Sequence, residues 1–378
     1  MSDEPVKILI TGDFCPINRM ESLALNREYG AVFNDFGDVF RGNDLNVVDL
    51  ECPLTLSGSA RRKTGPHQKA RPETVGLLKH LHIGVAAMAN NHIMDYGSEG
   101  IRSTLELCRK EGIQTVGAGS SREEAEQPLS LVLRDRKIAL LNMADNEFLT
   151  TPDGAYRCNP IDPVRCFQII TRTRQDHDFV VAIVHGGNEF YELPSPRTKQ
   201  LYRSLVDMGA DAVVSHHTHA FSGYERYHSK PIFYGLGNFL YDWTGKRDQG
   251  WNRGYVVRLL LGDGVDFDLV PLKQNNEAPG IFHLDAAEQD LFQKDLERLN
   301  AIIADDVQLE ARFLEYCRSV FPMYDAFLEP RFGRVITALR KRGLFPKLLS
   351  RRKRLLYLNL IRCESHREIL LKLLKQYE

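Results

Sequence analysis

The chain has no apolar run approaching the roughly 20 residues that a membrane-spanning helix needs, which argues against an integral helical membrane protein. Its 7 cysteines are scattered, odd in number and without CxxC spacing, so neither a disulfide framework nor a cysteine zinc site is expected. No sign of charge prevails: 49 Lys and Arg face 50 Asp and Glu, which gives no overall attraction toward nucleic acid. The start, Met-Ser-Asp-Glu-Pro-Val-Lys, is too acidic, and the apolar stretch after it too brief, for a secretory signal. A soluble cytoplasmic protein in a reducing compartment is the expectation, and no internal repeat or low-complexity tract modifies it.

What is present is unevenly distributed. At 378 residues the chain exceeds the usual single-domain size. From Arg331 onward there are 14 Lys and Arg against three Glu, so the preceding part is distinctly acidic. Two units are expected: a domain over residues 1–273, then, after a polar linker from Gln274 to Gly280, a basic helical module over 274–378. Helices are expected there at Leu291 to Ile303, Gln308 to Val320, Arg334 to Arg342 and Ser350 to Tyr377.

The first unit reads as α/β, with short β-branched or apolar runs alternating with helical patterns. Val6 to Thr11 ends in Gly12-Asp13, and Leu45 to Leu50 ends in Glu51. Val85 to Ala89 ends in Asn90-Asn91-His92, Phe179 to Val184 in His185-Gly186-Gly187, and Ala212 to Ser215 in His216-His217-Thr218-His219. Helices are expected at Ser98 to Glu111, Pro163 to Arg174 and Pro196 to Met208. Hairpins are expected around Arg134-Asp135-Arg136 and Gly262-Asp263-Gly264.

Five expected strand exits therefore each deliver a metal-competent side chain, and open α/β sheets place their ligands at such exits. Imidazole and carboxylate together suit Mn, Zn or Fe, with Mg a further candidate, and six donors exceed what one tetrahedral ion needs. Two divalent ions are expected. Glu51 is assigned as the bridge, Asp13 and His219 to one ion, and Asn91, His185 and His217 to the other. A water shared by two cations loses its proton near neutral pH, so the chemistry is hydrolysis. Alternation along an extended segment would turn His217 and His219 to one side and leave His216 structural or supporting. His92 is the expected proton donor or charge stabiliser. Glu189 and Glu225 are candidate acceptors for ligand histidines, Asn238 sits in a loop expected near the site, and Lys63, His67 and Lys69 could meet an anionic substrate.

Several segments carry a family resemblance: Thr11-Gly12-Asp13, Asp49-Leu50-Glu51-Cys52-Pro53-Leu54-Thr55, Ala89-Asn90-Asn91-His92 with Asp95, His185-Gly186-Gly187 with Glu189, His216-His217-Thr218-His219, and Tyr234-Gly235-Leu236-Gly237-Asn238-Phe239. From about Lys7 to Leu272 the chain resembles the capsule-synthesis CapA proteins, the poly-γ-glutamate biosynthesis branch of the calcineurin-like metallophosphoesterase superfamily. The resemblance implies a four-layer α/β/β/α sandwich around a two-metal centre. The implied substrate is an anionic surface polymer or its precursor, cleaved at a phosphoester or amide-like bond; a non-catalytic assembly or anchoring factor is the alternative. Asp49 stands where the family usually has Asn, Ser215 where it has Gly, and Gly187 where Trp is common. In the tail, Arg351-Arg352-Lys353-Arg354 precedes Leu355, Leu356, Leu358, Leu360, Ile361, Leu370, Leu371, Leu373 and Leu374. That stripe could dock on anionic lipid or synthesis machinery, or pack on the first unit with its cations solvated; no nucleic-acid module is recognisable.

Overall fold

Ile8, Leu9 and Ile10 are consecutive apolar residues in an extended segment, so their side chains must leave on opposite faces. Ile8 and Ile10 enter one buried cluster and Leu9 another, which makes the strand Val6–Cys15 a partition between two cores. Val47 and Val48, and Val85 and Ala86, divide in the same way. A sheet buried on both faces needs apolar residues at nearly every position, which is what these runs supply.

The computed structural model describes residues 4–247, 250–328 and 350–374. An eight-stranded sheet has Val6–Cys15 at its centre, parallel to Leu45–Leu50, which is parallel to Val85–Ala87 and then Gln114–Val116. On the other side of Val6–Cys15 lie the antiparallel strands Arg253–Leu261, Val265–Gln274 and Ile281–His283. A six-stranded sheet is built around Phe179–His185, parallel to Arg136–Ala144 and to Ala212–His216. The cluster containing Ile8 and Ile10 also contains Leu140, Val181 and Val213, so the two sheets stack through it. Helices Arg19–Leu25, Val75–His80 and Gly97–Lys110 cover the outer face of the first sheet, burying Met20, Leu77, Leu78 and Ile101. Pro163–Arg174 and Pro196–Met208 cover the second through Ile170, Tyr202 and Leu205. The layers are α/β/β/α, as the resemblance implied. Both expected hairpins form: Leu129–Leu133 pairs with Arg136–Ala144 across Arg134 and Asp135 in the left-handed region, and Leu261 pairs with Val265.

Two boundaries differ from the sequence reading. The polar stretch after Lys273 is not a free linker: Gln274 and Asn275 are buried, Gly280 and Asn275 bond one another, and the chain re-enters the sheet at Ile281–His283. The later helices Ala286–Ala304, Asp306–Leu328, Arg351–Arg362 and Glu364–Leu374 place Leu299, Phe313, Leu360, Ile369 and Leu373 in the same core as the sheets. Each fully buried Leu or Ile contributes about 1.5–3 kcal/mol, so these helices are integral to the fold. The helix expected at Arg334 to Arg342 lies outside the described residues, and the one expected from Ser350 is two helices divided at Cys363. Among the described residues no helix is long and apolar enough to cross a membrane.

Candidate metal centre

Asp13 was expected just past the end of a strand; it lies inside Val6–Cys15, where that strand exchanges its antiparallel neighbour for the parallel strand Asn238–Tyr241. The exchange leaves an irregularity at Asp13, and such a break re-aims a side chain. Gly12 permits it, because a Cβ there would stand 2.0 Å from the Gly237 carbonyl oxygen. Across the parallel pairing Asp13 sits opposite Asp49, and the Glu51 N–H donates to the Phe14 carbonyl at 2.9 Å. Asp13, Asp49 and Glu51 are thereby held as one buried acidic group.

The other strand ends supply nitrogen. His185 closes Phe179–His185 and His216 closes Ala212–His216, paired in register. Asn90 shapes the third contribution: its Oδ1 accepts from the His92 and Ile93 N–H groups and its Nδ2 donates to the Leu50 carbonyl. This fixes the turn that carries Asn91 and His92. His217 and His219 converge by a different route from strand alternation. The strand has already ended, and both residues adopt left-handed backbone, φ 86° and 54°. That conformation is costly for non-glycine residues and concentrates at functional sites.

The result is a single buried cluster. His185 Nε2 lies 3.1 Å from both Asn91 Oδ1 and His217 Nδ1, and 3.7 Å from Glu51 Oε1. On the other side of Glu51, His219 Nε2 is 3.6 Å from the same Oε1, while His219 Nδ1 is 3.1 Å from Asp13 Oδ2. Donor atoms of Asp13, Glu51 and His219 lie within 4.8 Å of one another, as do those of Glu51, His185 and His217. Glu51 is common to both groups.

Whether these residues fit cations can be judged from their oxygens. Asp49 Oδ1 and both oxygens of Glu51 are buried with no hydrogen-bond partner, and Asp13 Oδ2 has only the His219 ring at 3.1 Å. Buried carboxylate oxygens without partners cost several kcal/mol unless a cation satisfies them. Burial first, then Asp13 and neighbouring acids, pushes Glu51 well above the ordinary carboxylate range, and burial and Asp13 do the same to Asp49. Burial and the neighbouring imidazoles hold His185 well below its usual value, which keeps it a neutral ligand-competent base. At Asp13 burial is outweighed by His219, and its acidity is strengthened. Crowded acids beside imidazole nitrogens, with His185 held neutral, are the kind of donor set that suits divalent metals.

Around this centre the sequence reading is partly redrawn. Asn238 bonds His219 Nδ1 at 3.0 Å, and His216 Nε2 bonds the Thr11 carbonyl at 2.7 Å, a structural contact. Glu189 is exposed yet acts electrostatically on Glu51, His92 and His219. Glu225 is not brought to the site: it is bound by Arg203 at 2.6 and 2.8 Å and by the Tyr234 hydroxyl at 2.6 Å. Nor is Lys69, whose ammonium donates to the Ser57 carbonyl and covers the Tyr96 ring. Lys63 is the lysine that enters, buried against Asp95 and 3.2 Å from His92 Nδ1.

Three residues absent from the expected set belong here. Asp49 Oδ2 is 3.1 Å from His185 Nδ1, a carboxylate orienting an imidazole; its place two residues before Glu51, at the end of Leu45–Leu50, was the available signal. Asp95 Oδ2 binds His92 Nδ1 at 2.7 Å, three residues on in a tight turn. Glu147 feels the His217 ring and is bound by Asn359 and His366 of the last helices, pairings no local sequence pattern announces.

Residues 7–243 match the family described as bacterial capsule synthesis protein PGA_cap. The chain is 28% identical over 303 residues to the PGA biosynthesis protein CapA of Bacillus subtilis, covering 79% of each chain. It is 28% identical over 293 residues to the capsule biosynthesis protein CapA of Bacillus anthracis, covering 73% of this chain and 69% of that one. A 5'-nucleotidase precursor from Thermus thermophilus aligns with a TM-score of 0.43 at 10% identity, over 79% of this chain and 59% of that one.

Proposed function

This chain belongs to the bacterial capsule synthesis protein family, and from that premise we propose that it is a two-metal hydrolase acting on a phosphoester or amide-like bond in an anionic surface polymer or its precursor. One observation carries the reading: three carboxylate oxygens of Asp49 and Glu51 lie buried and unpartnered, with Asp13 and the neutral imidazole of His185 beside them. Asp13, Glu51 and His219 would hold one divalent ion, and Glu51, Asn91, His185 and His217 the other. Such a pair, when bound, supplies an activated water and charge stabilisation.

The remaining groups have roles of their own. Asp49 holds the His185 ring through Nδ1 and keeps Nε2 toward Glu51. Asp95 occupies Nδ1 of His92 and leaves Nε2 to exchange a proton. Burial, reinforced by the Lys63 charge, keeps His92 below its usual value and so neutral at pH 7.

The test is metal analysis coupled to hydrolysis of an aryl phosphate, a phosphodiester and a γ-glutamyl substrate with added manganese. Hydrolysis of at least one by protein holding about two ions per chain is the expected result. An assembly or anchoring role is the second reading, favoured by Leu358, Ile361, Leu371 and Leu374, which stay exposed on the basic last helices. Metal-loaded protein inert on all three substrates would select it.

A further inference from the structure

Phe148 is a bulky residue in left-handed backbone, φ 57°, a conformation that persists only where its surroundings force it. Three cations gather on its ring. Arg362 lies 4.5 Å from the centroid, Lys63 5.0 Å and Arg61 5.4 Å. The ring and its cations come from three distant segments: Arg61 and Lys63 from the loop before Lys69, Phe148 from the loop after Arg136–Ala144, and Arg362 from the end of the helix Arg351–Arg362.

The loop bearing Phe148 is clamped from both sides. Asp145 accepts from the Gly187 N–H at 3.0 Å and from the Ser365 hydroxyl at 2.7 Å; the Asn146 N–H donates to Glu364 at 3.0 Å, and Asn359 donates to Glu147 at 2.8 Å. The last helices thus hold Arg362 against the loop that leaves the central sheet next to the metal-centre histidines. Lys63 Nζ, the innermost cation, is 3.2 Å from His92 Nδ1.

The charges do not balance locally. Asp95 is already shared by Lys63 and His92, and Glu147 by Asn359 and His366. Among the described residues neither Arg61 nor Arg362 has a carboxylate at ion-pair distance, and Nε of each is buried with no hydrogen-bond partner. Burial and mutual repulsion weaken the proton affinity of Arg61. Like-charged guanidiniums held together with unused donors are suited to a shared oxyanion, because a planar fork matches a carboxylate or phosphate and the anion relieves the repulsion.

We infer that Arg61 and Arg362, with Lys63 behind them, form an oxyanion subsite beside His92 that grips a carboxylate or phosphate of the substrate flanking the bond to be cleaved. Arg362 lies beyond the residues matched by the family, so the C-terminal helices complete the binding site. The assignment of that oxyanion to a substrate rests on the hydrolase reading; the subsite itself does not.

The test uses the full-length, manganese-loaded protein and calorimetric binding at low salt of two probes, tri-γ-glutamate and inorganic phosphate. Arg362→Ala should weaken one or both about tenfold, with metal content and melting temperature unchanged, since a charge-assisted bond of this kind is lost. Arg362→Lys should recover part of the loss, and the control Arg312→Ala, on an outer helix, should bind as wild type. The probe that responds identifies the oxyanion. Equal affinity in wild type and folded, metal-replete Arg362→Ala overturns the subsite, as does a wild type that binds neither probe. Arginine-dependent binding without hydrolysis of any substrate retains the subsite and removes the hydrolase reading alone.

Discussion

Nδ1 of His185 lies 3.1 Å from the Asp49 carboxylate, and this contact decides which imidazole nitrogen faces the centre. With Nδ1 engaged, Nε2 is directed to Glu51, Asn91 and His217. Partners that orient a ligand histidine in this way typically change metal affinity about 10–100-fold when removed. Asp49→Ala should therefore bind manganese about 10–100-fold more weakly in chelator competition. Asp49→Asn, whose amide oxygen can still accept from Nδ1, should lose less. Wild-type affinity in folded Asp49→Ala would remove Asp49 from the centre.

Glu51 should show opposite effects with and without metal. Both its oxygens are buried and unpartnered near Asp13 and Asp49. In chelator-treated protein Glu51→Gln relieves the repulsion and should stabilise the fold by about 1–3 kcal/mol. With manganese the order should reverse, because ligand binding stabilises only the native state that can bind. Thermal melts with and without metal read the crossing; an unchanged order contradicts a bridging role.

His92→Ala should keep both ions and lose about 10²–10⁴ in turnover, as removal of a positioned general acid–base group would. Asp95→Asn should fall in the same direction by less, since it leaves the imidazole in place but frees Nδ1. Turnover and metal content measured together distinguish this from ligand loss, and a metal-depleted His92→Ala variant would make His92 a ligand.

The last helices should dock with a definite pH dependence. At Glu147 burial is outweighed by His366, His217 and Asn359, so its acidity is well strengthened; at His366 burial is outweighed by Glu147, so its basicity rises. Glu147 contributes stability above its ordinary 4.5 and loses it as pH falls through its depressed folded value. His366, also bonded by the Tyr324 hydroxyl, contributes fully below 6.5 and loses its share as pH rises through its elevated folded value. Hydrogen exchange over 351–374 should be slowest between pH 4.5 and 6.5, after correction for the intrinsic rate, and should quicken as pH rises beyond 6.5 through the elevated folded value of His366. His366→Gln should abolish the alkaline change; if it persists, another group is responsible.

Truncation after Lys273 should not leave a folded unit. It removes Ile281–His283 from the sheet and Leu299, Ile303, Phe313 and Leu360 from the core. Each core leucine alone is worth about 2–5 kcal/mol on truncation to Ala. A cooperative melt of residues 1–273 near that of the whole chain would restore a boundary there.

Much of this architecture was legible in the sequence, because short-range rules govern it. Short continuous apolar runs such as Val6 to Thr11 and Phe179 to Val184 fix strands, and the caps at Asp162 and Ser195 fix where Pro163–Arg174 and Pro196–Met208 begin. The six candidate ligands could be singled out for the same reason, each standing at or near a strand's carboxyl end. Tertiary structure alone decided what meets across the chain. It turned His217 and His219 inward through left-handed backbone, drew Lys63 in rather than Lys69, sent Glu225 to Arg203, and laid Arg362 against Phe148. Those contacts join residues tens to hundreds of positions apart. They depend on how whole layers pack, which no local spacing encodes.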